Sequence, residues 1–238
     1  MVIECKIENK EIVIWRFLTL EKFCSMLFEK SLFYTSLDRF EDSYEFLLNE
    51  KFFKSRELKK KGIEITRYQA QAKAYKAKDN KRAIGANCWC MSEYEPEFFW
   101  KIYSSLKNGI VIKASIQSLI DSHENIERDI YIKKIIYNNF KIQDEKTLIA
   151  LENAHPMDLA SVKRTNFSHE QELRCLVKIN PNPKGIMYTG ENIKINLDKL
   201  IHEVRVSPKS EEWFQSLIND LLEKYNVKLK CQKSDLLY

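Results

Sequence analysis

The stretch Lys163-Arg-Thr-Asn-Phe-Ser-His-Glu-Gln-Glu-Leu-Arg-Cys-Leu-Val-Lys178 carries the pattern on which the fold and the candidate site depend. From Gln171 onward the pattern predicts a strand, because successive strand side chains point to opposite faces. The alternation puts Glu170, Glu172 and Arg174 on one face, and the other face is mostly apolar. Neighbours on one face lie about 6.6–6.8 Å apart, so two carboxylates and a guanidinium project from one element.

This polar face has two interpretations. Two nearby carboxylates raise the pKa of one of them, and an arginine lowers it again, which suits acid–base or charge-stabilising chemistry. A half-exposed strand with a solvated polar face shows the same alternation. The rest of the sequence is needed to weigh the two.

Length and composition limit the class of protein. The chain has 238 residues and a formal net charge of +5, which fits one large domain or two small ones. No apolar run is long enough to predict a transmembrane helix, and Met1 to Lys10 lacks the apolar core of a signal peptide. Of the six cysteines, Cys88 and Cys90 alone are close in sequence. We therefore expect buried, reduced thiols, no metal site and a cytoplasmic protein.

The order of predicted elements indicates an α+β fold. Strands are expected at 12–18, 32–36, 85–91, 109–116, 129–137, 171–178, 193–197 and 203–207, with a further edge strand at 227–231. Helices are expected at 20–28, at 144–164 with an interruption at Pro156, and at 210–225 with Trp213, Leu217, Leu221 and Leu222 facing inward. We expect one domain over 1–238, with an antiparallel or mixed sheet flanked by helices.

Residues 45–82 are expected to form an inserted helical hairpin. Lys and Arg far outnumber acidic residues in this segment, and Gly62 divides it. A basic helical hairpin can follow the phosphates of a nucleic acid, although a charged segment is more often a solvated surface. Nucleic acid is therefore one expected partner, and membrane is not.

Arg16 lies in an apolar strand on the same face as Ile12, Ile14 and Leu18. A buried guanidinium without a partner is very costly. That partner is either a carboxylate of the protein or a phosphate of a ligand, and the sequence leaves both open.

Two further groups are ambiguous in the same way. Asp42 and Glu45 lie in an acidic, aromatic loop, where they either bind a ribose or a cation or cap the next helix. Trp100 and Tyr103 share one helical face, where they either form core or offer a ligand platform.

Several segments resemble the bacterial domain-of-unknown-function 2971 family. They are Ile14-Trp-Arg-Phe17; Leu32-Phe-Tyr-Thr-Ser36; Phe40-Glu-Asp42 with Glu45; Cys88-Trp89; Trp100-Lys-Ile-Tyr103; Gly109-Ile-Val-Ile112; Lys163 with Phe167-Ser-His-Glu170 and Glu172-Leu-Arg174; and Val206-Ser-Pro208. They run through nearly the whole chain. That family's biochemistry is open, so the resemblance does not define an activity.

A more distant resemblance is to ADP-ribosyltransferases. A strand with Arg16, a strand with Tyr34-Thr-Ser36 and the later Glu170-x-Glu172 follow the order of the arginine, Ser-Thr-Ser and Glu-x-Glu series of those enzymes. The resemblance implies NAD as a substrate. It further implies that Arg16 contacts the NAD phosphate or ribose, that Ser36 supports the site, that Glu172 holds the ribose 2′-hydroxyl, and that Glu170 positions the acceptor. Further expected NAD contacts are Tyr34, Asp42, Trp100, Tyr103 and Arg174.

Three functions remain open at this point. The first is an ADP-ribosyltransferase-like enzyme, in a toxin or phage-defence setting, that modifies nucleic acid or protein; whether a regulatory partner protein restrains it is left open by the sequence. The second is a nucleic-acid-binding or metal-dependent nuclease protein whose acids Asp42, Glu45, Glu170 and Glu172 hold the metal. The third is a non-catalytic sensor or interaction domain. The first function predicts that Arg16, Ser36 and Glu172 meet in one cleft, with Trp100 or Tyr103 nearby. It fails if Arg16 lies on the opposite side of the sheet from Glu172.

Overall fold

The computed structural model describes residues 3–42, 79–104, 106–138, 154–180 and 189–236. The strands are β1 (Ile3–Cys5), β2 (Val13–Leu18), β3 (Ser31–Ser36), β4 (Ile84–Met91), β5 (Ile110–Ser115), β6 (Ile130–Lys134), β7 (Ile136–Asn138), β8 (Val162–Arg164), β9 (Glu172–Lys178), β10 (Gly190–Lys194), β11 (Glu203–Val206) and β12 (Gln232–Lys233). The helices include α1 (Leu20–Glu29), α2 (Phe99–Ile102), α3 (Ile116–Asp121), α4 (Pro156–Leu159), α5 (Leu197–Leu200) and α6 (Glu212–Lys224). Short 3-10 helices cover Leu37–Arg39 and Thr165–Glu170.

Ten strands form one mixed sheet, in the order β1-β6-β9-β4-β2-β5-β11-β12, with β3 joining β4 and β10 joining β3. The pairs β1–β6 and β11–β12 are parallel, and the remaining pairs of this sheet are antiparallel. Strands β7 and β8 form a separate parallel pair. The predicted α+β class is confirmed, and the sheet is mixed.

The sheet is split along one edge of β4. Strand β2 pairs with the end of β4, where Trp15 lies opposite Cys90. Strand β3 pairs with its beginning, where Thr35 lies opposite Ala86. Residues 87–89 pair with neither strand on this edge, because β2 continues along β5 while β3 continues along β10. The opening between β2 and β3 is where the candidate site lies.

The main core lies on one face of the sheet, and two smaller apolar clusters lie on the other. Residues from β2, β5, β9 and β11 pack in the main core with α1, α3, α5 and α6. The first smaller cluster centres on Trp15, Phe17 and Trp100, and the second on Ala86 and Leu176. This packing fixes the strands on either side of the opening. Of the helices that the structure describes, none has the length and apolarity needed to cross a membrane.

Several expected boundaries are wrong. Gln171 has a left-handed backbone (φ 42°) and ends the preceding 3-10 helix, so the strand begins at Glu172, and Glu170 is not part of it. Pro156 begins α4 rather than interrupting a longer helix, since a proline is well tolerated in the first helical turn. Leu197 opens α5 and does not extend β10. The edge strand expected at 227–231 is not formed there; the two-residue β12 (Gln232–Lys233) follows that range directly.

The inward face of α6 is also displaced from the prediction. Its buried residues are Phe214, Ile218 and Leu222, whereas Trp213 is 55% exposed. Both stripes have helical spacing, so periodicity alone did not choose between them. Of the predicted hairpin at 45–82, residues 79–82 are helical, and the rest lies outside the described residues.

Candidate functional site

A cavity of about 520 Å³ opens at the split in the sheet. Its size is in the range of small-molecule sites. It is lined by residues of β2, β3, β4, β8 and β9, of α1 and α2 with the residue after α2, of the second 3-10 helix, and of the segment after the first 3-10 helix. They are Trp15, Arg16, Phe17, Leu18, Lys22, Thr35, Phe40, Glu41, Asp42, Ala86, Cys88, Trp89, Cys90, Phe99, Tyr103, Lys163, Arg164, Phe167, Glu170 and Glu172.

A buried ionic cluster forms one wall of this cavity. Lys163 Nζ lies 2.7 Å from Glu170 Oε2 and 3.1 Å from Glu172 Oε2, so a single ammonium bridges both carboxylates. Arg174 Nε donates to Glu172 Oε1 at 2.7 Å, and its Nη2 donates to Oε2 at 3.2 Å. Two cations and two carboxylates thus balance in charge, and all four residues are buried.

The cluster keeps Glu172 ionised. Burial by itself raises the pKa of a carboxyl group, but the charges and hydrogen bonds of Arg174, together with Lys163, lower the pKa of Glu172 to about 2. The neighbouring Cys88 thiol is affected in the opposite sense, because burial and the Glu172 charge raise its pKa well above the usual value. Cys88 is therefore a neutral thiol at pH 7 and a poor nucleophile.

Two tyrosines fix the acidic residues in place. Tyr103 donates its hydroxyl hydrogen to Glu170 Oε1 at 3.0 Å. The Tyr137 hydroxyl accepts from the backbone N–H of Glu172 at 2.8 Å, at the start of β9. Burial raises the pKa of both phenols, that of Tyr137 to about 12. Both remain protonated at neutral pH and hold the geometry of the acids.

Arg16 lies in the opening of the sheet. Strand alternation places it on the core face with Ile14 and Leu18, but the split lets its side chain line the cavity that Glu172 also lines. Its Nη1 donates to the backbone carbonyl of Cys88 at 2.5 Å, which is on the unpaired edge of β4. Across the described ranges, Arg16 forms no salt bridge with a carboxylate, so neither partner left open by the sequence is seen there.

Aromatic rings cover the other cations of the site. Phe40 lies 5.0 Å from the guanidinium carbon of Arg174, and Phe167 lies 4.7 Å from Lys163 Nζ. Arg164 also contacts Phe167 and pairs with Asp42, its Nε donating to Oδ2 at 3.0 Å. Arg16 also has an aromatic neighbour, the Trp89 ring at 5.9 Å from its guanidinium carbon, but among the described residues it has no carboxylate partner while it faces the cavity.

The structure brings together part of the predicted site. Arg16, Asp42, Tyr103, Glu170 and Glu172 all line the cavity, as the sequence pattern predicts. Their proximity does not test the roles implied by the resemblance.

Four other predicted contact residues do not line the cavity. Tyr34 faces the core, where its hydroxyl lies 2.6 Å from His123 Nε2. Ser36 donates to Asp38 Oδ1 at 2.7 Å, and Trp100 packs against Phe17 with ring centroids 4.9 Å apart. The fourth, Arg174, supports Glu172 from behind.

Thr35 and Lys163 are two of the cavity residues to which the sequence analysis gave no role. Thr35 lies between Tyr34 and Ser36, so strand alternation places its side chain on the opposite face from theirs. That alternation could have predicted that Thr35, rather than its two neighbours, lines the cavity. Lys163 opens the stretch with which we began, but it reaches the acids from β8, a strand that was expected to be helix. Its contact with Glu170 and Glu172 required the tertiary structure.

Within the described ranges, no group of three or more His, Cys, Asp or Glu side chains is arranged so that it could hold a metal ion. Asp42 is paired with Arg164, and Glu170 and Glu172 are paired with Lys163. Glu45 of the predicted nuclease set lies outside the described residues.

Comparisons with known proteins complete the description of the site. No family model and no curated protein matches the chain, so the resemblance to the domain-of-unknown-function 2971 family is not confirmed. Among solved structures, the chain is similar to Thermus sp. 2.9 DarT in complex with NAD+, with a TM-score of 0.38 and 8% identity. The alignment covers 96% of this chain and 98% of DarT. A TM-score this low supports no conclusion about this chain.

Proposed function

We propose that this protein binds NAD in the cavity and transfers its ADP-ribose group to an acceptor. The observation that carries the proposal is Arg16, a half-buried cation without a salt bridge in the described part of the chain, facing the cavity that holds Glu170 and Glu172. A guanidinium matches the geometry of a phosphate, and NAD carries two phosphates. The sequence resemblance to ADP-ribosyltransferases supports the same choice of ligand.

The acidic wall suits the chemistry of the reaction. When the bond between ribose C1′ and the nicotinamide nitrogen breaks, its electron pair goes to the nitrogen, and nicotinamide leaves as a neutral molecule. The ribose then carries oxocarbenium-like positive charge, as in glycoside cleavage. A fixed carboxylate stabilises that charge more than it stabilises the ground state. Glu172, which is held by Arg174 and Lys163, has the required fixed position and charge.

The acceptor completes the bond balance. Its nucleophilic atom forms the new bond to C1′ and loses one proton, for which Glu170 is the proposed recipient. In this scheme Tyr103 and Lys163 orient Glu170. The acceptor is a nucleic acid or a protein, and the excess of Lys and Arg in residues 45–82 is compatible with a nucleic acid.

Nicotinamide release from NAD tests this proposal. Wild type and Glu172→Gln are compared with and without added RNA, DNA or protein extract. Gln keeps the shape of the side chain and removes its charge. A matched control is Glu203→Gln, since Glu203 pairs with Arg205 two residues along a strand, as Glu172 pairs with Arg174, but does not line the cavity.

We expect release by the wild type and by Glu203→Gln, and its loss in Glu172→Gln. Thermal melting of each variant separates loss of chemistry from loss of folding. Equal release by wild type and Glu172→Gln would exclude Glu172 from the reaction. If the wild type released no nicotinamide under any condition, the transferase proposal would fail.

One observation favours a second function, a nucleotide sensor without catalysis. Both carboxylate oxygens of Glu172 already accept hydrogen bonds from Arg174 or Lys163, and a ribose hydroxyl would have to share them. A sensor would bind NAD with a measurable affinity that depends on Arg16 and would leave the nicotinamide bond intact. Calorimetric titration of NAD into wild type and Arg16→Met distinguishes this outcome.

A further inference from the structure

A second, smaller cavity of about 210 Å³ adjoins the first at Arg16. The two cavities share Arg16, Leu18, Lys22 and Thr35 as lining residues. The second one lies between α1 and β3 and also reaches β10. A cavity of about 150 Å³ is enough to hold benzene in another protein, so this space is of the size needed for a heterocyclic base.

The lining of the second cavity combines an aromatic ring with an amide. Phe33 of β3 and Asn192 of β10 are directly opposite in the antiparallel pair, which puts both side chains on one face. Phe33 is 39% exposed, so part of its ring remains free of protein contacts. An aromatic ring stacks on a nucleobase, and an asparagine amide can pair with the amino and ring nitrogens of adenine.

An unsatisfied hydroxyl is a second, independent observation in this cavity. Ser31 is 1% exposed and lines it, and within the described residues its Oγ has no hydrogen-bond partner. Buried polar atoms nearly always have a partner, and an exception can mark a functional position. Ser31 therefore marks the wall of this cavity as a place where the fold leaves a polar group unsatisfied.

We propose that the second cavity binds the adenine base of a nucleotide whose phosphate binds Arg16. This inference rests on the proposed function for the identity of the full ligand, NAD. The nicotinamide ribose then lies in the larger cavity with Glu170 and Glu172, and the adenosine half lies against Phe33. Because Arg16 lies between two cavities, a ligand that carries one ring system on each side of its phosphates, as NAD does, would fill both.

Calorimetric titrations with three probes test the inference. They are NAD; adenosine monophosphate, which carries adenine, ribose and one phosphate but no nicotinamide; and nicotinamide mononucleotide, which lacks adenine. Each is titrated into wild type, Phe33→Ala and the matched control Phe28→Ala. Phe28 is 70% exposed on α1 and lines neither cavity. Melting temperatures establish that each variant is folded.

We expect Phe33→Ala to weaken NAD and adenosine monophosphate by about fivefold or more, the range for loss of one base–aromatic stack. Nicotinamide mononucleotide should bind Phe33→Ala as it binds the wild type, and Phe28→Ala should bind all three probes normally.

Failure of the two proposals gives different results. If NAD binds wild type and Phe33→Ala equally, the adenine subsite is overturned, while the proposed function stands. If adenosine monophosphate binds in a Phe33-dependent manner but NAD neither binds nor reacts, the subsite stands and the transferase proposal falls. If no probe binds the wild type, both are overturned.

Discussion

Lys163→Met is expected to lower the free energy of unfolding by about 3–5 kcal/mol at pH 7, the cost of breaking a buried ion pair by removing one partner. The side chains of Lys163, Glu170 and Glu172 are 9%, 10% and 7% exposed. Met has a similar length but no charge. After the change, Arg174 alone faces two buried carboxylates, and one negative charge is left without compensation.

The stability lost in Lys163→Met should become smaller as the pH falls. In the wild type, the pKa of Glu172 is lowered from its ordinary value of 4.5 to about 2, so its contribution is complete above pH 4.5 and is lost as the pH falls toward 2. In Lys163→Met, the acid pair retains a proton at higher pH because the bridging cation is gone. Protonation then relieves the uncompensated charge, and the gap between variant and wild type should narrow as the pH falls from 7 to 4.

The assay is urea unfolding at pH 7 and pH 4, followed by circular dichroism. Lys133→Met is the matched control, because Lys133 Nζ also bridges two carboxylates, Glu4 at 3.0 Å and Asp158 at 2.8 Å. Those carboxylates are 33% and 53% exposed, so water screens the interaction and about 1 kcal/mol or less is expected. If Lys163→Met lost no more stability than Lys133→Met, the assignment of a strongly coupled buried cluster would be refuted.

Three further changes test other parts of the structure. Tyr103→Phe removes the hydrogen bond to Glu170, so it should lower nicotinamide release about tenfold while leaving the melting temperature nearly unchanged. Release equal to that of the wild type would show that Tyr103 does not orient Glu170. Burial lowers the pKa of His123, so as the pH falls the unfolded chain takes up the proton first and the wild type loses stability between pH 7 and pH 5. His123→Asn should reduce this loss in the free energy of unfolding. A wild-type pH dependence in urea titrations of the variant would contradict the prediction. Gly190→Ala should destabilise by about 1–3 kcal/mol, since its Cβ would lie 2.2 Å from the Tyr34 carbonyl oxygen; wild-type stability would contradict the close approach of β10 and β3.

The sequence predicted elements where local pattern and burial agree. The alternation in Ile14–Leu18 and Leu173–Val177 identified two central strands, because each strand buries an apolar face that any register slip would expose. It failed where two local choices are nearly equal. Trp213 and Phe214 both begin stripes of helical spacing, and only the sheet beneath α6 decided which stripe is buried.

Part of the candidate site could likewise be predicted from local pattern, and part could not. Glu172 and Arg174 are two residues apart on one strand, so their pairing follows from strand geometry and could be read from the sequence. Glu170 was expected on that face for the same reason, but it belongs to a 3-10 helix and reaches the cluster through Lys163.

By itself, the sequence determined the α+β class, the presence of two acidic residues at Glu170 and Glu172, and the presence of Arg16 in an apolar strand, where an unpaired guanidinium is energetically costly. Tertiary structure decided what that cation faces. Arg16 lies on the core face by alternation, and it reaches the cavity because β2 and β3 leave the edge of β4 in different directions. The divergence depends on which strands each of them pairs with further along, β5 and β10. Pairing between segments distant in sequence is a property of the whole sheet, and no local pattern records it.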